Sequence, residues 1–154
     1  MRLLGFAFVA VALVLAGGPM RGAGDDSKKE KSTADALIGT WKIVSGKYGG
    51  RDFKFPEGTT MLKHVTPTQF LWVTYDQDGK VFRSAGGYYS LKRDQYAETP
   101  EYGSGGDFEG IKGKTHTFTV KVEGNQWHQD GALGGGTTIN EVWERLEKKP
   151  RKDD

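Results

Sequence analysis

The chain contains no cysteine. That excludes disulfide cross-links, thiolate metal sites and a lipid-modified cysteine, so the fold must be held by its core alone. Histidine is scarce, three in 154 residues. His64, His116 and His128 show no His-x-His or His-Glu-x-x-His spacing, so no metal site and no cofactor is expected. Charge of one sign is not in excess either. Residues 1–24 carry Arg2 and Arg21 and no acid, and the remainder holds 20 basic and 20 acidic residues. A balanced chain without a basic face argues against nucleic acid as partner. Long apolar runs are missing except for Leu3 to Ala16, which is shorter than the roughly 20 residues that span a bilayer.

That one run has a meaning of its own. A positive residue precedes it, small residues follow, and Gly22-Ala23-Gly24 offers a small-x-small cleavage site. Residues 1–24 are therefore read as a signal peptide rather than a retained anchor. The expected product is secreted or periplasmic, with no stable membrane insertion after cleavage. Residues 25–35 (DDSKKEKSTAD) are charged and aperiodic and are read as a flexible leader. The domain is placed at 36–147, and 148–154 is read as a disordered tail. About 110 residues suffice for one core.

Within 36–147, short β-rich runs alternate with turn signals. The organising stretch is Leu37-Ile38-Gly39-Thr40-Trp41-Lys42-Ile43-Val44-Ser45, a first strand whose expected partner is Ile139 to Glu147 at the other end. Between them lie Thr60–Val65, Gln69–Tyr75, a run from Lys80 that bends or bulges at Gly86-Gly87 before Tyr88, Gln95–Thr99, Thr115–Val122 and Gln126–Gln129. Gly49 to Gly58 and Pro100 to Gly113 are read as loops. No segment has the length of a βαβ crossover, so the sheet should be antiparallel. Eight such strands escape exposed edges by closing, which predicts an all-β, eight-stranded, antiparallel up-and-down barrel. A two-sheet sandwich is the alternative.

Gly39-Thr40-Trp41-Lys42-Ile43-Val44-Ser45 resembles the opening strand of the calycins, the superfamily of lipocalins, fatty-acid-binding proteins and avidins. The resemblance implies that Trp41 closes the barrel base against a basic residue of the last strand, for which Arg145 is the match. Gly39, Trp41 and Arg145 are thereby structural. With Phe70-Leu71-Trp72-Val73-Thr74-Tyr75-Asp76, Glu98, Glu101-Tyr102-Gly103 and Asn140-Glu141-Val142-Trp143-Glu144-Arg145, the whole domain resembles small secreted bacterial lipocalin-like proteins. One departure matters. Fatty-acid-binding proteins hold a carboxylate with Arg-x-Tyr on the last strand, and here those positions read Glu141-Val142-Trp143. A carboxylate there favours a donor or a cation.

Candidate ligand residues follow from parity and placement. Ile139, Glu141, Trp143 and Arg145 share one face of a regular strand. Trp72 and Trp127 have the apolar body and single polar handle that suit a pocket wall. Glu98 and Tyr102 sit at the exit of a strand, before a glycine-rich stretch, where loops at a barrel mouth usually carry selectivity. The functional expectation is a non-enzymatic barrel binding a small, mainly apolar molecule through Trp72, Trp127, Tyr102, Glu98, Glu141 and Trp143. The alternative is a filled barrel whose loops engage a protein partner, and an acid–base enzyme using Glu98 or Glu141 with a histidine ranks behind both. Gly103-Ser104-Gly105 and Gly134-Gly135-Gly136 have no strand-to-helix context and carry no catalytic or phosphate-binding expectation.

Overall fold

Why the chain closes is visible in its first long strand, which pairs on both sides. In the computed structural model, which describes residues 33–106 and 108–147, β1 (Gly39–Tyr48) is hydrogen-bonded to β3 (Thr60–Val65) and to β9 (Thr138–Arg145). Between them run β4 (Gln69–Tyr75), β5 (Val81–Lys92), β6 (Gln95–Ser104), β7 (His116–Glu123) and β8 (Gln126–Ala132), each antiparallel to its neighbour in chain order. The result is the expected closed, eight-stranded, up-and-down barrel. A two-residue strand, β2 (Arg51–Asp52), folds back on the end of β1. The signal-peptide and tail assignments lie outside the described residues.

Several boundaries differ from expectation. Residues 33–37 form a short helix, α1, so regular structure begins before Ala36. The run from Pro100 is not a loop at its start: β6 continues to Ser104, and a four-residue helix, α2 (Phe108–Ile111), follows. The glycines of that run suggest irregularity, but there they serve close strand packing. A Cβ at Gly103 would sit 2.3 Å from the Ser84 carbonyl oxygen.

The closed base is built as the resemblance implies. The Arg145 guanidinium lies 4.0 Å from the Trp41 ring centroid, and it donates to the carbonyls of Ile38 (2.8 Å) and Ala36. Trp41 donates its indole N–H to the Leu37 carbonyl at 2.8 Å. Gly39 must lack a side chain, because a Cβ there would lie 2.5 Å from Arg145 Nη1 and its φ is +143°. Leu37, Trp41, Tyr96, Trp127 and Trp143 are wholly buried at this end. Trp127 meets both Trp41 and Tyr96 edge-on at 5.5 Å, a geometry that aligns the positive ring edge with a negative face.

Three register slips interrupt the ladders, and two of them decide the facing of Tyr48 and Tyr102. On β1 the register with β9 slips between Ile43 and Ser45. Trp41 and Ile43 point inward before it, Gly46 and Tyr48 after it. On β6 the pairing passes from Gly87↔Pro100 to Gly86↔Tyr102, leaving Glu101 without a partner. Tyr96, Glu98 and Pro100 are buried before this slip, and Tyr102 faces out after it. An extra residue in one strand inverts its alternation.

Arg145→Met should destabilise the fold by about 2–4 kcal/mol, since it removes a cation–π contact and two charge-assisted hydrogen bonds. Urea unfolding followed by tryptophan fluorescence measures this. A loss below about 0.5 kcal/mol, the scale of an ordinary surface substitution, would contradict the role given to the pair.

Candidate functional site

The barrel is not filled. An interior cavity of about 440 Å³ opens between the strands, which removes the premise of the filled-barrel alternative. Its wall is mostly apolar, from Met61, Trp72, Phe118, Ile139 and Trp143 inside to Phe53, Phe55, Phe82, Phe108 and Leu133 near the entrance. The loop after β1 supplies part of that entrance. Phe53 stacks edge-on against Tyr48 at 5.1 Å and against Phe55 at 4.7 Å, and its N–H is held by the Gly46 carbonyl at 2.8 Å.

Polar groups converge at the bottom. Lys63 on β3 is buried, 2% exposed. Its ammonium bonds Glu98 at 2.9 Å and Gln129 at 3.2 Å, and lies 4.8 Å from the ring centroids of both Trp127 and Trp143. Gln129 donates onward to Glu141 at 3.3 Å. Glu141 also accepts from the Trp143 indole at 3.1 Å and the Tyr48 hydroxyl at 2.5 Å. Three donors thus face one carboxylate. Burial nonetheless pushes the Glu141 carboxyl above its ordinary value, against the opposing pull of Lys63 and the Tyr48 hydrogen bond. Burial, and then Glu141 itself, push the Tyr48 phenol strongly up. A buried cation is tolerable only when paired and hydrogen-bonded, and rings on one side with acceptors on the other provide that.

Of the residues singled out from sequence, Trp72, Glu98, Glu141 and Trp143 line the cavity. Trp127 does not. It is buried among Trp41, Tyr96 and Trp143 beneath the cavity floor, and its indole N–H has no partner among the described residues. Tyr102 is also outside: it is 48% exposed and its ring covers Gly86, where a Cβ would sit 2.5 Å from Cε2. The Glu101 bulge is the reason, because strict alternation from Glu98 and Pro100 turns Tyr102 inward. The mirror case is Tyr48, which strict alternation from Trp41 sends outward.

Lys63, Gln129 and Arg83 are site residues that the sequence reading misses. For Lys63 a signal exists: it shares parity with Met61 and Val65 in β3. His128 pairs with Lys121, as the two-residue turn at Gly124-Asn125 requires, and His116 stands inward, away from it. Among the described residues, no group of three His, Cys, Asp or Glu side chains could hold a metal ion.

No protein-family model matches the chain, and no curated protein matches it. Among solved structures it is similar to a redesigned β-barrel, with 17% identity and a TM-score of 0.48 over 74% of this chain and 95% of that one. A de novo designed fluorescence-activating β-barrel is similar at 15% identity and TM-score 0.46, over 74% and 97% of the two chains. A point mutant of the fluorescent protein UnaG shares 11% identity at TM-score 0.37, over 74% and 99%. The likeness is one of barrel outline. With its first strand closed on its last and Trp41 stacked on Arg145, the fold is a closed antiparallel β-barrel.

The buried network can be tested in two ways. Lys63→Met leaves Glu98 buried without its cation and should cost about 3–5 kcal/mol, and adding Glu98→Gln should recover much of that loss. Denaturant midpoints of the two single variants and the double variant give the coupling. The second test concerns pH. A carboxyl raised above its ordinary value means that the folded protein binds the Glu141 proton more tightly than the unfolded chain does. Its contribution to stability therefore falls as pH rises from the unfolded value through the folded one, and is level above. Glu141→Gln should remove that component of the pH–stability curve, and a curve of unchanged slope would refute the assignment.

Proposed function

We propose that this protein is a non-enzymatic carrier that holds a small, mainly apolar molecule inside the barrel. The observation that carries this is the cavity itself: about 440 Å³, walled by aromatic and aliphatic side chains, with a few convergent polar groups. Sites of that size and composition take small ligands. The non-enzymatic part draws support from the state of the acidic groups. Glu98 is committed to Lys63, and Glu141 to Tyr48, Gln129 and Trp143, so neither is poised to exchange protons with a bound molecule. Export completes the proposal, through the segment 1–24 and the resemblance to small secreted bacterial lipocalin-like proteins, with a secreted or periplasmic location for the mature chain.

Native mass spectrometry of protein purified from its own host, compared with the denatured mass, tests the reading. A few hundred daltons lost on denaturation are expected. The neutral dye Nile red should also bind the emptied protein with a rise in fluorescence. Thr74→Phe, which adds a ring at a buried wall position, should weaken that binding by about tenfold, roughly 1.4 kcal/mol, while the protein remains folded. Binding insensitive to Thr74→Phe would place the dye elsewhere and count against an interior site.

A further inference from the structure

The formal charges of the side chains lining the cavity cancel, Lys63 and Arg83 standing against Glu98 and Glu141. A ligand with a full charge of either sign finds no net attraction there, and it must shed its hydration to enter. An uncharged ligand avoids that cost. Most polar groups on the wall are already spent on one another, since Lys63 bonds Glu98 and Gln129, and Gln129, Tyr48 and Trp143 donate to Glu141.

One cavity-lining residue stands apart from that network. His116 opens β7, lines the cavity and is 7% exposed, and its Nε2 is buried without a hydrogen-bond partner among the described residues. A buried ring nitrogen left unpaired costs free energy that a ligand can recover. The register sets His116 directly opposite Glu98 on β6, one inward-facing pair above Tyr96 and Phe118. Side chains opposed in this way have Cβ atoms about 4.5–5.5 Å apart. Glu98 is turned to Lys63, accepting from its ammonium at 2.9 Å. The β8–β9 turn passes beside the imidazole, because a Cβ at Gly134 would lie 3.7 Å from His116 Cε1.

Few ligand groups suit that corner. Nε2 is a donor in one neutral tautomer and an acceptor in the other. A hydroxyl both donates and accepts, so it pairs with Nε2 in either tautomer. A carboxylate or sulfonate placed there would face the Glu98 carboxylate across one strand spacing. An ammonium would have to share Glu98 with Lys63, a like charge already in place. We propose that His116 Nε2, beside Glu98, binds the hydroxyl of an otherwise apolar, uncharged ligand, an alcohol or phenol whose body lies against Phe118, Trp72 and Trp143. This rests on the interior being the ligand site.

The test uses the emptied protein loaded with Nile red and four displacing molecules built on one ring system: 2-naphthol, 2-fluoronaphthalene, naphthalene-2-sulfonate and 2-naphthylmethylammonium. At about pH 7 the naphthol is uncharged, as phenols are. It should displace the dye at about tenfold lower concentration than either ionic analogue. His116→Leu should weaken 2-naphthol about fivefold and 2-fluoronaphthalene less than about twofold. His116→Gln keeps a donor and an acceptor and should hold 2-naphthol within about twofold of the unaltered protein. Equal losses of 2-naphthol and 2-fluoronaphthalene in His116→Leu would overturn the proposal. So would a Gln variant no better than the Leu variant, or an ionic analogue ahead of 2-naphthol in the unaltered protein. That last comparison decides even where His116→Leu does not fold. Failure of Nile red to bind the unaltered protein is a separate result, and it would fall on the interior site itself.

Discussion

Everything else in this molecule depends on β1 being paired along both edges. A strand with an open edge is a template for unwanted association, and the chain has no cysteine to fix its ends together. Closure therefore rests on the β1–β9 ladder and on what anchors it, the Arg145 guanidinium stacked on Trp41 and bonded to the carbonyls of Ile38 and Ala36. Joining residues about a hundred positions apart is the slow, entropically expensive step in such a topology. A contact that combines hydrophobic burial, a cation over a ring and charged hydrogen bonds is well matched to it.

Above that base, the second constraint is electrostatic. The chain buries a lysine at the wall of a cavity of about 440 Å³. Lys63 survives there because rings close one side and two acceptors the other, and because Gln129 links the Lys63–Glu98 pair to Glu141. The same network sets the cavity's polarity. Within it, Lys63 bonds Glu98 and Gln129, and Tyr48, Gln129 and Trp143 donate to Glu141.

The residues legible from sequence are those governed by local alternation or by pattern at the chain ends. Ile139, Glu141 and Trp143 fall on one face by parity, and the bend at Gly86-Gly87 is readable from the glycines alone. The relationship of His116 to His128 follows from the two-residue turn. Unbroken alternation is the assumption that fails. It turns Tyr102 inward and Tyr48 outward, and each is reversed by one unpaired residue, Glu101 in β6 and Val44 in β1. Trp127 has the expected side but a different depth, because periodicity fixes direction and carries no information on height along the barrel.

The sequence by itself determined the all-β class, the antiparallel order and the identity of the two strands that meet, while the pairing of Trp41 with Arg145 followed from the calycin resemblance. These rest on period, turn chemistry and chain length, and on the pattern at the two chain ends, which are properties of short stretches. Only the tertiary structure decided that the interior is open, that Lys63, Glu98, Gln129 and Glu141 form one network, and that Arg83 and His116 line the same cavity. Those facts depend on register between strands distant in sequence and on bulges that shift it by one residue. A one-residue slip moves a side chain from core to solvent, and nothing in the local sequence at Val44 or Glu101 announces it.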